Sequence, residues 1–359
     1  MNDPSGRLAG PVLVIGTGLL GTSIGLAATR AGLEVWLRDS RRKHVRTATG
    51  LGAGAPAPEG GVPQLVVVAV PPDHIADVVV DALGTGAVVT DVGSVKQQPL
   101  ELVAARVAPD VLARYVGSHP MAGSERSGPL AASAALFDGR PWAVTAHPGA
   151  APDAVAVVER LAVICGAQPV RLTPGEHDRA VARTSHVPHL LAVLAAGRLA
   201  AAPPEHLSLS GQGVRDVTRI AAGDPDLYGQ IIRANREAVT ELLGEVRADL
   251  DTVIAAVESG TTADLAEVLD RGVSGTQAIP GKHGGPPLET APVYIAVPDH
   301  PGELARLFAD VGEIGVNVED VRIDHDPGRP VGVVELQVAD HSARQLEAAL
   351  EERGWTAHR

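Results

Sequence analysis

A short apolar run, Pro11–Ile15, ends in Gly16-Thr17-Gly18-Leu19-Leu20-Gly21 and leads into Thr22–Ala31, a stretch of helical character. No other part of the chain constrains the fold as much. An apolar run closed by glycine reads as a buried parallel strand. In this context Gly16 permits a tight turn, Gly18 lets a pyrophosphate approach the backbone, and Gly21 lets helix and strand pack closely. The free N–H groups at the start of the following helix favour phosphate. A second strand over Leu33–Leu37 is followed by Asp39, about 20 residues past the loop, where an acid bonds ribose hydroxyls and favours NAD. Arg38, Arg41 and Arg42 keep NADP possible, since arginines at this place hold a 2′-phosphate.

Short apolar runs go on alternating with helical stretches, the pattern of a doubly wound sheet. Gln64–Val70 is a third strand, stopped by Pro71-Pro72, and Ala87–Thr90 is a fourth, ending in Asp91. Tyr115–Gly117 and Pro141–Thr145 read as further strands, and Gln168–Leu172 closes a Rossmann-type dinucleotide-binding domain over residues 1–173. Its cofactor-facing set is Gly16, Thr17, Gly18, Leu19, Leu20, Gly21, Asp39 and Val70. From Pro174 the strand signal disappears, and residues 174–280 read as an all-helical second domain. Glu176–Ala200 is a helix interrupted by Pro188, and Asp224–Glu258 is one long helix. Within it Val239, Leu243, Val246, Leu250, Val253 and Val257 form a heptad-like stripe. That stripe suits packing within the subunit and pairing with a second subunit equally well. Residues 281–287 are a linker by composition. Residues 288–359 then repeat strand and helix in βαββαβ order, a small ferredoxin-like unit with a turn at Asp326-Pro327-Gly328.

At 359 residues, about two or three domains are expected. The formal charge of -13 argues against nucleic acid as a partner, because phosphate backbones need a basic face. Aromatic residues make up only 2%, which leaves no platform for base stacking. One cysteine, Cys165, rules out an intrachain disulfide and a cysteine metal cluster, and its apolar surroundings predict a buried thiol. No metal is expected. Nothing at the N-terminus reads as an export signal, and the apolar run after His189 is broken at Arg198, too early for a membrane span. The expectation is a cytoplasmic enzyme without a membrane partner.

Two loops carry chemistry. Asp91-Val92-Gly93-Ser94-Val95-Lys96 follows the fourth strand, at the carboxyl edge where open α/β sheets bind ligands. Ser94 suits either a helix cap or a hydrogen bond to substrate, cofactor or a catalytic histidine. Lys96 reads as a solvated charge or a phosphate neighbour. In Ser118-His119-Pro120-Met121-Ala122-Gly123-Ser124-Glu125, the histidine lies just past a strand, followed by Pro120 to fix the turn and Gly123 to relax it. Histidine starts with a pKa near the working pH, as a general base requires, and Glu125 is a potential charge partner.

In their order along the chain, the Gly16–Ser23 loop, Val92–Lys96, His119–Glu125, Thr184-Ser185-His186-Val187-Pro188-His189 and Asp216-Val217-Thr218-Arg219 resemble the prephenate/arogenate dehydrogenases. The resemblance spans roughly residues 10–280. The C-terminal unit resembles an ACT domain, a module that typically binds amino acids, with Asp299, His300, Gly302 and Glu303 on its ligand-facing turn.

The resemblance implies oxidative decarboxylation of prephenate with NAD, and a homodimer. His119 would take or polarise the ring-hydroxyl proton, helped by Ser94. Arg219 would clamp a substrate carboxylate. Ser185 and His189, four apart on one helix face, would contact substrate, whereas His186 points elsewhere and reads as a packed or capping histidine. Asp216, three before Arg219, would orient its guanidinium. Ser124 and Glu125 would neighbour the substrate, Glu125 as an electrostatic or gating group. Arogenate is the alternative substrate. Tyrosine is the natural effector, with phenylalanine or no effector also open. A hydroxy-acid dehydrogenase and a catalytically silent amino-acid sensor are the remaining alternatives.

Overall fold

A computed structural model describes residues 8–123, 126–279, 289–325 and 331–359. Ser124, Glu125, the linker at 281–287 and the turn at 326–328 lie outside the described residues. Internal contacts divide the chain into two units, Met1–Asp251 and Thr252–Arg359.

The first unit opens with β1 (Val12–Ile15), β2 (Val35–Arg38), β3 (Ala55–Pro56), β4 (Leu65–Val68) and β5 (Val88–Asp91), a parallel sheet in the order β3-β2-β1-β4-β5. Helices α1 (Leu19–Arg30), α2 (Arg42–Gly50), α3 (Pro72–Leu83) and α4 (Gln97–Ala104) connect these strands or follow them. Side chains alternate across a strand, and the strand interiors here are apolar on both faces. Val12, Val14, Leu65 and Val67 therefore join Ile24, Ala27 and Ala28 of α1 in one core. Leu13, Val66 and Val68 join Ile75, Val79 and Leu83 of α3 in the other. Strand order reverses between β1 and β4, which opens a crevice at their carboxyl ends.

After α5 (Pro109–Leu112) come β6 (Gly117–Pro120), β7 (Pro141–Thr145), α6 (Pro152–Ile164) and β8 (Gln168–Leu172). Strand β6 runs antiparallel to β7, and β7 parallel to β8. The strand expected at Tyr115–Gly117 is shifted: Tyr115 makes only an isolated bridge to Val89, and β6 starts at Gly117. His119 thus lies within a strand, opposite Ala143, not past its end. Pro120 is tolerated because it closes the strand, where a missing donor is least costly.

The helical part begins with α7 (Pro174–Val181), whose first turn is closed by a capping box between Thr173 and Glu176. The interruption expected at Pro188 lies just ahead of it, as a π-turn over Ala182–His186. Proline offers no N–H to the carbonyl four residues back and crowds it, and a wider turn relieves both problems. Then follow α8 (Val187–Leu199), α9 (Pro204–Leu207), α10 (Gln212–Arg219), a 3₁₀ turn at Ile220–Ala222, α11 (Pro225–Ala234) and α12 (Arg236–Ser259). The single helix expected over Asp224–Glu258 is two helices, broken at Asn235 with φ -107° and ψ 31°. The heptad-like stripe is split as well. Val239 is 2% exposed and packs with Val187 and Ala182, whereas Leu250 and Val257 are 55% and 66% exposed.

The second unit contains α13 (Ala263–Gln277), then β9 (Thr290–Pro298), α14 (Glu303–Ile314), β10 (Val318–His325), β11 (Val331–Ala339), α15 (Asp340–Glu352) and β12 (Thr356–His358). Its sheet is antiparallel in the order β10-β11-β9-β12. Val293, Ile295, Val334, Leu336 and Val338 face Leu307, Leu346 and Leu350 of the two helices. Among the described residues no helix is long and apolar enough to cross a membrane.

Candidate active site

The loop between β1 and α1 is shaped by what its glycines exclude. A β-carbon on Gly16, whose φ is +95°, would lie 2.2 Å from the Ala69 carbonyl oxygen, and one on Gly21 would lie 1.9 Å from that of Gly16. Around Gly18 there is open space, so a phosphate can reach the backbone. Gly18 caps α1 without a side-chain bond and no acid stands in the first turn, which leaves amide donors available for an anion. Leu19 and Leu20 open the helix, and Val70 flanks Gly16, its Cγ1 within 3.2 Å of that virtual β-carbon. The residues present fit a dinucleotide.

Asp39 follows β2 and is already engaged. Its Oδ2 accepts from the Thr17 amide at 2.7 Å and the Thr17 hydroxyl at 2.9 Å, and its Oδ1 from the Arg41 amide at 2.8 Å. Burial alone would raise its pKa, but the hydrogen bonds from Arg41 and Thr17 outweigh that and hold it below the usual value.

The carboxyl end of β5 carries a buried polar cluster. Asp91 accepts from Lys96 Nζ, from the Tyr115 hydroxyl at 2.7 Å and from the Gly93 amide at 2.9 Å. Lys96 Nζ also donates to the Ser118 carbonyl at 2.7 Å, and Ser118 Oγ donates to the Asp91 carbonyl at 2.9 Å. Lys96 is therefore not a solvated charge: its side chain is fully buried. Burial lowers its pKa while Asp91 opposes the shift, and burial together with Asp91 raises Tyr115 well above its usual value. The cluster ties β5, the loop after it and β6 together, and holds the peptide just before His119.

His119 belongs to a second chain of groups. Its Nδ1 lies 3.0 Å from His177 Nε2, and His177 Nδ1 lies 2.8 Å from Asp178 Oδ1. Asp178 also accepts from the backbone amides of Lys96 (2.8 Å) and Gln97 (2.9 Å), and so caps α4 from another element. A carboxylate only accepts, so His177 Nδ1 carries a proton and its Nε2 is an acceptor. His119 must then donate through Nδ1, which leaves the lone pair on its Nε2. Burial first, then the charges of His177, Lys96 and His186, put His119 well below its usual pKa, so it is neutral at pH 7. His177 is lowered too, mainly by burial. Asn235, at the helix break, donates to the Asp178 carbonyl at 2.8 Å and lies 3.1 Å from His186 Nδ1. His186 is packed, as expected, and burial lowers it to about 4.

The other expected residues fare differently. Ser94 is half-buried and does not cap α4, whose N-cap is Lys96; its hydroxyl has no partner among the described residues. Ser185 and His189 do not share a buried face. The π-turn intervenes, Ser185 is exposed, and His189 is buried and stacked on Tyr228 with ring centroids 3.4 Å apart. His189 Nδ1 is buried without a partner among the described residues. Asp216 accepts from Gln212 at 2.9 Å instead of orienting Arg219, and Arg219 is exposed with no acidic partner among the described residues. In the second unit Asp299, His300 and Gly302 are exposed on the turn before α14, and Glu303 pairs with Arg306 at 2.6 Å. Cys165 is buried, which pushes its thiol up to about 12.

Sequence reading missed His177, Asp178, Asn235, Asp91 and Tyr115 as members of the site. The adjacent His177-Asp178 pair in the first turns of α7 was the available signal, but nothing in its spacing points to a histidine 58 residues earlier.

A glycine cradle for a dinucleotide, together with a neutral histidine whose tautomer is dictated by a carboxylate, is the equipment of a dinucleotide-dependent dehydrogenase. Family models described as prephenate dehydrogenase, nucleotide-binding domain, and prephenate dehydrogenase, dimerization domain, match residues 24–178 and 173–271. A protein of Streptomyces niveus named probable prephenate dehydrogenase NovF is 36% identical, over 96% of this chain and 99% of its own. A prephenate dehydrogenase of Bacillus subtilis is 27% identical, over 95% and 96%. The crystal structure of prephenate dehydrogenase from A. aeolicus, in complex with hydroxyphenyl propionate and NAD+, is 25% identical with a TM-score of 0.67, covering 75% of this chain and 98% of its own. The chain belongs to the prephenate dehydrogenase family.

Proposed function

We propose that this protein converts prephenate to 4-hydroxyphenylpyruvate and carbon dioxide with NAD as oxidant. The observation that carries the reading is the Asp178–His177–His119 chain, which presents a neutral acceptor nitrogen on β6 in the same unit as the dinucleotide cradle. Gly16, Thr17, Gly18, Leu19, Leu20, Gly21, Asp39 and Val70 hold the cofactor. When bound, NAD would supply the hydride acceptor for the ring carbon that bears the hydroxyl. His119 Nε2 accepts the hydroxyl proton, and the imidazolium so formed keeps its Nδ1–H bond to His177, with Asp178 balancing the charge. Ser94, with its free hydroxyl, holds the substrate oxygen. Breakage of the ring carbon–carboxylate bond sends its electron pair through the ring to the former hydroxyl oxygen, which takes the proton back from His119 as the ring becomes aromatic and carbon dioxide departs.

Arg219 suits a carboxylate clamp because no acid among the described residues occupies its guanidinium. His189, buried and stacked on Tyr228, and the exposed Ser185 are assigned to the substrate side on sequence grounds. Ser124 and Glu125 are assigned as substrate neighbours on sequence grounds. Residues 1–173, 174–280 and 288–359 are read as nucleotide-binding, helical and ACT-like regulatory domains. The βαββαβ order and four-stranded sheet support the last of these. The exposed half of the α12 stripe, with Leu250 and Val257, supports a homodimer.

The test is NADH formation with prephenate, arogenate and a simple 2-hydroxy acid. Prephenate is expected to be turned over best. A preference for arogenate would move the substrate assignment, and no turnover of any of them would remove the dehydrogenase reading. Tyrosine added to the same assay is expected to slow it; an unchanged rate would remove the regulatory reading.

A further inference from the structure

One buried side chain outside the Asp178–His177–His119 chain touches it from the helical side. Asn235 is 5% exposed. A carbonyl only accepts, so the side-chain amide must turn its NH2 group to the Asp178 carbonyl, 2.8 Å away. The same nitrogen lies 3.1 Å from His186 Nδ1, which is then an acceptor, so the proton of that neutral ring sits on Nε2. Asp178 stands in α7 just before the π-turn over Ala182–His186, and His186 closes the turn. One amide group thus spans the π-turn and uses both of its donors in doing so.

Asn235 is itself held from both directions along the chain. Its backbone amide donates to the Ile231 carbonyl at 3.0 Å and its carbonyl accepts from the Val239 amide at 3.1 Å, so it ends α11 and begins α12 without losing either bond to the break. Upstream, Tyr228 stacks on His189, and Arg233 pairs with Asp73 at 2.5 Å, at the start of α3. Downstream, Val239 packs with Val187 and Ala182. A side chain whose base is fixed by packed helices is pre-organised for its partners. Burying an amide is costly unless its polar atoms are matched, and an apolar residue would fill the space at less cost. The two donors are what an amide adds at this position.

We propose that Asn235 is a positioning residue for His119, acting through Asp178 and His177; this rests on the assignment of His119 as the base. The contact of Asp178 with His177 Nδ1 is 2.8 Å long, and a displacement of about 1 Å would break it. His177 would then be free to carry its proton on Nε2. His119 would have to accept that proton's bond through Nδ1 and keep its own proton on Nε2, the nitrogen that must be empty to act as a base. By holding the Asp178 carbonyl against the His186 ring, Asn235 keeps the carboxylate in place and removes that tautomer. A donor on His186 Nδ1 also favours the uncharged form of that ring, whose charge would act on His119.

Two variants of the full chain test it. Asn235→Leu keeps the branched outline and removes both donors. Asn235→Asp keeps the shape and, ionised at about pH 8, removes them as well; it serves if the first variant does not fold. The protonated nitrogen of His119 is read without substrate, from long-range 1H–15N spectra of protein labelled with 15N-histidine, its signals identified by their loss in His119→Asn. The proton is expected on Nδ1 in the unaltered protein and on both nitrogens, in exchange, in the variants. Turnover of prephenate (kcat) should fall by about 10- to 100-fold. Its KM and the dissociation constant of NAD+ should stay within about threefold, which also shows that the variant is folded. A kcat within about threefold of the unaltered value would overturn the proposal. So would a fallen kcat with the His119 proton still wholly on Nδ1, which would leave Asn235 a packing role. Absence of turnover in an unaltered protein that binds NAD+ would remove the proposed reaction; the His119 tautomer would then decide alone, a shift upholding the role of Asn235 and an unchanged ring overturning it.

Discussion

Asp178 Oδ1 stands 2.8 Å from His177 Nδ1, and through that one contact it decides which nitrogen of His119, a ring further on, is free to accept a proton. The same carboxylate caps α4 through the amides of Lys96 and Gln97. Orientation of the His119 ring, the proposed base, and anchoring of the loop that carries Ser94 thus depend on one side chain.

Replacing Asp178 with Asn should separate these two duties. An amide can still accept one backbone bond, but it no longer selects the His177 tautomer. Turnover is expected to fall by about 10- to 1,000-fold, with KM for substrate and affinity for the dinucleotide little changed. A variant that melts earlier but keeps its turnover would leave Asp178 with a capping role only.

The pH profile should report His119. The base is active when neutral, which is the form present above its pKa, and burial holds that pKa well below 6.5. Values of kcat/KM should therefore stay level as pH falls through 6.5 and decline only at more acidic pH. An acidic limb centred at or above 6.5 would contradict a buried, desolvated base. In His119→Asn that limb should vanish along with about 10²–10⁴ of the rate.

Lys96 and Asp91 form a buried pair with no exposure at either side chain. Lys96→Met leaves the carboxylate with only the Tyr115 hydroxyl and an amide, and should cost about 3–5 kcal/mol of stability in urea unfolding. Adding Asp91→Asn should restore part of that loss, because the uncompensated charge is gone. A loss below about 1 kcal/mol in the single variant would mean that the site opens to water or that the lysine is neutral.

Much of the scaffold was legible in the sequence because it is written in local pattern. The β1 run, the glycine loop and the start of α1 need only neighbouring residues, and β1, β2, β4 and β5 were found to within a few positions, whereas the two-residue edge strand β3 was missed because it carries no pattern of its own. Register was less legible. Tyr115–Gly117 looked like the strand since its residues are apolar, yet pairing with β7 begins at Gly117 and carries His119 inside. Pro188 announced an irregular helix but not its kind, because whether a turn kinks or widens depends on what packs against it. Lys96 was misread for a related reason: a lysine's burial is set by its partners, and Asp91, Tyr115 and the Ser118 carbonyl come from different elements.

The sequence alone determined the dinucleotide-binding half, the change to helices after Pro174 and the closing βαββαβ unit, and it singled out His119 as the candidate base. Periodicity and glycine spacing carry that information, and both act over a few residues. Only the tertiary structure decided which nitrogen of His119 is free, that Lys96 is interior, and that Asp39 is tied to Thr17. Each of these depends on donors and acceptors brought within about 3 Å from distant parts of the chain. Hydrogen bonding is short-ranged and directional, so such partners are selected only when packing has placed them.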